Sequence, residues 1–69
     1  MIVIIHDPEY TRPMKLAAIL ISRYGLKRTV EAWDGVMPLE DGMLAITHTE
    51  KTPTLPRAVV VRVGGRRKP

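Results

Sequence analysis

The chain opens on Met1-Ile2-Val3-Ile4-Ile5, a run of large apolar residues that is β-branched from Ile2 onward. A strand with one wet face alternates polar and apolar positions, and this run offers water no face at all. It therefore reads as a strand covered on both sides, or central in a sheet. His6-Asp7-Pro8-Glu9 ends it, because Pro8 has no N–H to give to a ladder and pushes Asp7 toward extended backbone. A second apolar run lies in Arg57–Val63, Arg-Ala-Val-Val-Val-Arg-Val, and reads as the last strand.

Between these runs the periodicity changes. Met14, Ala17, Ala18, Ile21 and Tyr24 recur at three- and four-residue steps, with Leu20 widening the stripe. A helix from about Arg12 to Tyr24 is expected, with Thr11 as its N-cap and Pro13 in its first turn. Gly25 stands where a left-handed C-cap belongs, and Leu26 can close the hydrophobic contact of that motif. Lys27–Trp33 alternates as a strand would, and Asp34-Gly35 is a turn signal. Met37-Pro38-Leu39 reads as extended and edge-like, because Pro38 cannot join a central ladder. Asp41-Gly42 is the best two-residue hairpin signal, joining a short strand that ends near Glu40 to another over Met43–Thr49. Pro53 and Pro56 stiffen the irregular stretch that follows.

The expected fold is α+β. It consists of a small, mostly antiparallel sheet of three or four strands with one helix on one face, in the order β-α-β-β-β. Residues 1–63 form the single domain and 64–69 a basic flexible tail. A chain of 69 residues buries only about 60% of its unfolded surface, so a partner that binds the native state would add welcome stability. With no Cys, neither a disulfide nor a thiolate zinc site can act as a staple. Asn and Gln are also absent and Ser occurs once, a composition that fits a hot-living organism. No apolar run approaches a membrane span, and the first residues lack the marks of a signal peptide, so a cytoplasmic location is expected.

Charge supplies the functional signal. The chain carries a net +4, yet residues 1–56 hold six basic and seven acidic side chains. The whole surplus therefore lies in Arg57, Arg62, Arg66, Arg67 and Lys68. A packed body with a basic end suits a polyanion such as RNA. Lys51, Lys27, Arg28, Arg12 and Lys15 are the further candidate phosphate contacts. Arg57 and Arg62, five apart, fall on opposite faces of a regular strand, so one of them is open to a carboxylate partner. Tyr10, Tyr24 and Trp33 are the aromatic rings available for base stacking, although Tyr24 suits the underside of the helix end and Trp33 the core or its rim.

The short, Cys-free, Arg-rich chain with a compact core and the tail Gly-Gly-Arg-Arg-Lys-Pro is similar to the small accessory proteins of archaeal ribosomes. That resemblance implies a non-enzymatic protein that clamps rRNA beside other ribosomal proteins, without cofactor, metal, membrane or small-molecule substrate. The first half carries another resemblance. Met1–Asp7, Lys15-Leu16, Leu20, Tyr24-Gly25-Leu26, Arg28 and Val30–Gly35 look like the opening of the small CRISPR-associated integration subunit and its toxin-nuclease relatives. It implies a metal-dependent nuclease with Asp7 on the family's metal-binding aspartate, but Pro and Gly in residues 36–56 leave no place for that family's second helix. Without a resemblance, His6-Asp7 reads as a turn, with Asp7 capping the strand-to-helix connection and His6 facing solvent.

Overall fold

A computed structural model describes residues 1–64. Its elements are β1 (Ile2–His6), α1 (Met14–Tyr24), β2 (Arg28–Val30), β3 (Met43–Thr47) and β4 (Ala58–Arg62). The four strands form one sheet in the order β2-β3-β1-β4, and every pairing in it is parallel. The α+β class and the single helix are as the sequence suggests, while the expectation of a mostly antiparallel sheet is wrong.

Burial explains why. Strand β1 lies between β3 and β4, with Ile4 opposite Ala45 on one side and Val60 on the other. Val3, Ile4 and Ile5 are completely buried, and so are Leu44 and Ala45 of β3. On one face Val3, Ile5, Leu44 and Ile46 pack under Ala17 and Leu20 of α1 and under Leu26. On the other, Ile4, Ala45 and Trp33 form a second cluster, to which Leu39 and Leu55 add cover. Crossover connections thus run over both faces, the usual setting of a parallel sheet. Helix α1 forms one; the irregular segments 31–42 and 48–57 form the other.

Local expectations change accordingly. The turn at Asp41-Gly42 exists, with Gly42 at φ +89°, but it closes no hairpin. The Gly42 carbonyl instead accepts from the N–H groups of Lys27 and Arg28, and its own N–H donates to the Met1 carbonyl. The turn therefore feeds β3 into the sheet beside β2 with both running the same way. Residues 37–40 form no strand and serve as cover. The strand expected over Lys27–Trp33 stops at Val30, because Ala32 adopts φ +57° and sends the chain across the sheet. Helix α1 begins at Met14, with Pro13 and not Thr11 as its N-cap, and no side chain caps it. The buried stripe is Ala17 and Leu20, flanked by half-buried Leu16 and Ile21, whereas Met14 and Ala18 are exposed. Gly25 does take the left-handed cap, at φ +63°, and Leu26 is buried against the same cluster as Ile21. Among the described residues no helix is long and apolar enough to cross a membrane.

Because Ile4 touches the second cluster from the middle of the central strand, Ile4→Ala should cost about 2–5 kcal/mol. A chain of this length has a total stability of roughly 3–10 kcal/mol at ordinary values per residue. The expected result is a much lower urea midpoint with an unchanged slope, read by circular dichroism. A midpoint within the error of the parent would show that β1 does not hold the core.

Candidate functional site

The connections out of β1 and β3 both start at the carboxyl end of the sheet. The chain leaves β1 over the helical face and passes β3 to reach β2, while the chain leaving β3 passes β1 over the opposite face to reach β4. The two connections therefore cross on opposite faces, and the end from which they start carries Asp7, which follows β1, and His48, which follows β3.

Asp7 is completely buried and fastens this end of the sheet. Its N–H donates to the Thr47 carbonyl at 2.8 Å, bridging the two central strands. Its Oδ1 accepts from the Thr11 N–H and the Thr11 hydroxyl, each at 2.9 Å, and its Oδ2 accepts from the Arg12 N–H at 3.1 Å. Burial is the largest single influence on this carboxyl and pushes its pKa up. The bonds from Thr11 and Arg12, with His48 nearby, together outweigh burial and hold it below the ordinary aspartate value. Thr11 therefore stabilises the strand-to-helix turn through Asp7, and its hydroxyl is engaged there. The expectation that Asp7 caps this turn agrees with the geometry.

His48 is positioned by the same residue. Its Nδ1 lies 2.8 Å from the Asp7 carbonyl oxygen, which can only accept, so Nδ1 carries the proton. The Asp7 Oδ2 is 3.7 Å from that nitrogen. The Tyr10 ring stacks on the imidazole with centroids 3.9 Å apart and planes 13° from parallel. His6, expected in solvent, is instead completely buried, and its Nε2 donates to the Thr49 carbonyl at 2.7 Å. Its Nδ1 has no hydrogen-bond partner among the described residues.

Beside this group opens a cleft of about 450 Å³, and Tyr10, Arg12, Glu31, Ala32, Ile46 and His48 are among its walls. Three of them, Tyr10, Arg12 and Ala32, hold positive φ values of 54°, 55° and 57°. Non-glycine residues in that region each cost on the order of 1–3 kcal/mol, and such strain gathers at functional sites. Among the described residues three of the four non-glycine residues with positive φ line this cleft, the fourth being Arg57.

The basic residues divide between the ends of the sheet. Arg12 lines the cleft, Lys15 lies in the first turn of α1, Arg62 closes β4, and Lys51 lies just beyond β3. These four exposed side chains belong to the carboxyl end, where Glu9, Glu31 and Glu50 also stand. Lys27 and Arg28 at the start of β2, and Arg57 before β4, belong to the opposite end, so the sequence-derived set is not one surface. Arg57 lies outside β4 at φ +68°, and strand alternation does not relate it to Arg62. Among the described residues neither has an ion-pair partner. Arg66, Arg67 and Lys68 lie outside the described residues. Trp33 is buried, with its Nε1–H donating to the Met37 carbonyl at 2.8 Å, which takes it out of any stacking platform. Tyr24, expected beneath the helix end, is partly exposed, and Tyr10 is the open ring, 67% accessible. Sequence reasoning passed over Glu31 and His48 as site residues. They meet Tyr10 only because β2 and β3 run parallel to β1.

No family model matches this chain, and no curated protein or solved structure matches it significantly.

Replacing Asp7 by Asn turns an amide NH2 donor toward N–H or O–H groups that need an acceptor and should cost about 1–3 kcal/mol at neutral pH. Because folding lowers the Asp7 pKa, its contribution is present above the unfolded value of about 3.9 and is lost as pH falls through the native value. Unfolding titrations of the parent should therefore show stability falling below about pH 4, with a shallower fall in Asp7→Asn. Identical acid limbs in the two proteins would remove Asp7 as the group responsible.

Proposed function

We propose that this chain is a non-catalytic RNA-binding domain that works as a small structural protein of a ribonucleoprotein particle, in the manner of a ribosomal accessory protein. The observation that carries this reading is the position of Gly64. A Cβ built on Gly64 would lie 2.8 Å from Thr11 Cγ2, 3.5 Å from Glu9 Cβ and 3.6 Å from Asp7 Oδ1. Strand β4 thus delivers the chain to the end of the sheet where Arg12, Lys15, Lys51 and Arg62 stand, immediately before Arg66, Arg67 and Lys68. The body contributes fixed cations and the following segment contributes three more, a suitable arrangement for neutralising successive phosphates. Arginine, which outnumbers lysine seven to four in the chain, can also hold a phosphate through two parallel bonds. A cytoplasmic setting and neighbouring proteins of the same particle go with this role.

The metal-dependent nuclease reading draws less support. It needs a carboxylate open to an ion, but both oxygens of Asp7 already accept from Thr11 and Arg12, and solvent does not reach them. Among the described residues no three His, Asp or Glu side chains come together as a cation site.

Binding to single-stranded RNA should depend steeply on salt. If the seven side chains of this end, Arg12, Lys15, Lys51, Arg62, Arg66, Arg67 and Lys68, each neutralise one phosphate, the slope of log K against log salt is about −5. Removing residues 65–69 while keeping Gly64 should leave the thermal transition in place and flatten the slope by roughly 2. A salt-independent affinity, or a truncated chain that binds as well as the parent, would overturn the proposal.

A further inference from the structure

The phosphate contacts above are indifferent to sequence, but the cleft beside them contains groups that can discriminate. Tyr10 has one ring face on His48 and is two-thirds exposed, so it presents an aromatic surface already held at a fixed angle. His48 is in turn fixed by the Asp7 carbonyl. Glu31 lines the same cleft, and its side chain has no ion-pair partner among the described residues. Glu9 and Glu50 stand at the same end, but of the three glutamates it is Glu31 that lines the cleft.

A carboxylate only accepts hydrogen bonds. Among the bases, guanine alone places two N–H donors side by side on its Watson–Crick edge, N1–H and the N2 amino group. Adenine and cytosine set a single amino group beside an unprotonated ring nitrogen, which repels the second oxygen. Uracil sets one N–H between two carbonyls. Single-stranded RNA is commonly read in this way, by a base stacked on an aromatic ring and bonded at that edge. The cleft also falls within the usual size range of small-ligand sites.

We infer that this cleft is a subsite for one unpaired guanine base, stacked against Tyr10, bonded at its edge by the Glu31 carboxylate, and tied through its phosphate to Arg12. The inference rests on the RNA-binding reading of the same end of the sheet and adds sequence preference to it. The strained backbones of Tyr10, Arg12 and Ala32 fix the walls before the base arrives, which lowers the ordering cost of binding.

The test uses the full chain and three fluorescent oligouridylates of equal length. One is unsubstituted, one carries a single central guanosine, and one a single central adenosine. Anisotropy titrations should rank the guanosine strand tightest. Tyr10→Ala should lower affinity for it by roughly 5- to 100-fold. Glu31→Gln should remove its advantage over the adenosine strand, and neither change should alter the salt slope. Both side chains are exposed, and an unchanged thermal transition verifies that the variants fold. Equal, steeply salt-dependent binding of all three strands would overturn the guanine subsite and leave the phosphate reading standing. Loss of binding to every strand would overturn both. A parallel calorimetric titration with guanosine monophosphate distinguishes the sources of the base. Binding of the free nucleotide that is lost in Glu31→Gln, with no RNA bound, would keep the guanine subsite and overturn the RNA reading.

Discussion

Strand β1 is closed to water on both faces and paired along both edges, and the rest of the molecule is arranged around that condition. A central strand of Ile and Val needs a layer above and a layer below. A short chain with one helix can supply the second layer only from irregular segments, and Trp33, Leu39 and Leu55 do so. Once connections must run over both faces, those that leave β1 and β3 cross on opposite sides of the sheet, and their first residues gather with the end of β2 around the cleft. The candidate site is a by-product of covering the core.

Asp7 shows how this geometry is held. A buried carboxylate is costly unless donors surround it, and here the donors are the first residues of the turn it must shape. The same residue orients His48 with its carbonyl and joins the two central strands with its N–H. Backbone strain at Tyr10 and Arg12 lies within the span that Asp7 pins. These features form one unit, in which a local turn and a wall of the cleft share their hydrogen bonds.

Much of this was legible in the sequence, and the remainder was hidden for identifiable reasons. The apolar run of Met1–Ile5 announces a strand covered on both sides, and the left-handed Gly25 with buried Leu26 ends the helix as the residues suggest. The parallel sheet was missed because Asp41-Gly42 carries a strong hairpin signature. In isolation, a turn that returns the chain to a neighbouring strand looks the same as one that delivers it beside a parallel partner. Thr11 has the chemistry of an N-cap, but Asp7 competes for it. The basic residues were visible as charges, whereas their division between two ends of the sheet depends on strand direction and cannot be read from spacing. Glu31 and His48 lie in different connections and become neighbours of Tyr10 only through the order β2-β3-β1-β4.

The close seat of Gly64 against Thr11 has a consequence for how the two basic parts act together. On the proposed RNA-binding reading, Arg66, Arg67 and Lys68 follow Gly64 closely in the sequence, so once the body engaged an RNA their contacts with it would be nearly intramolecular. The apparent affinity would then exceed what either part achieves alone, without any further contact. A bulkier residue at position 64 would clash with Thr11 and lower that affinity, even with every arginine and lysine still in place.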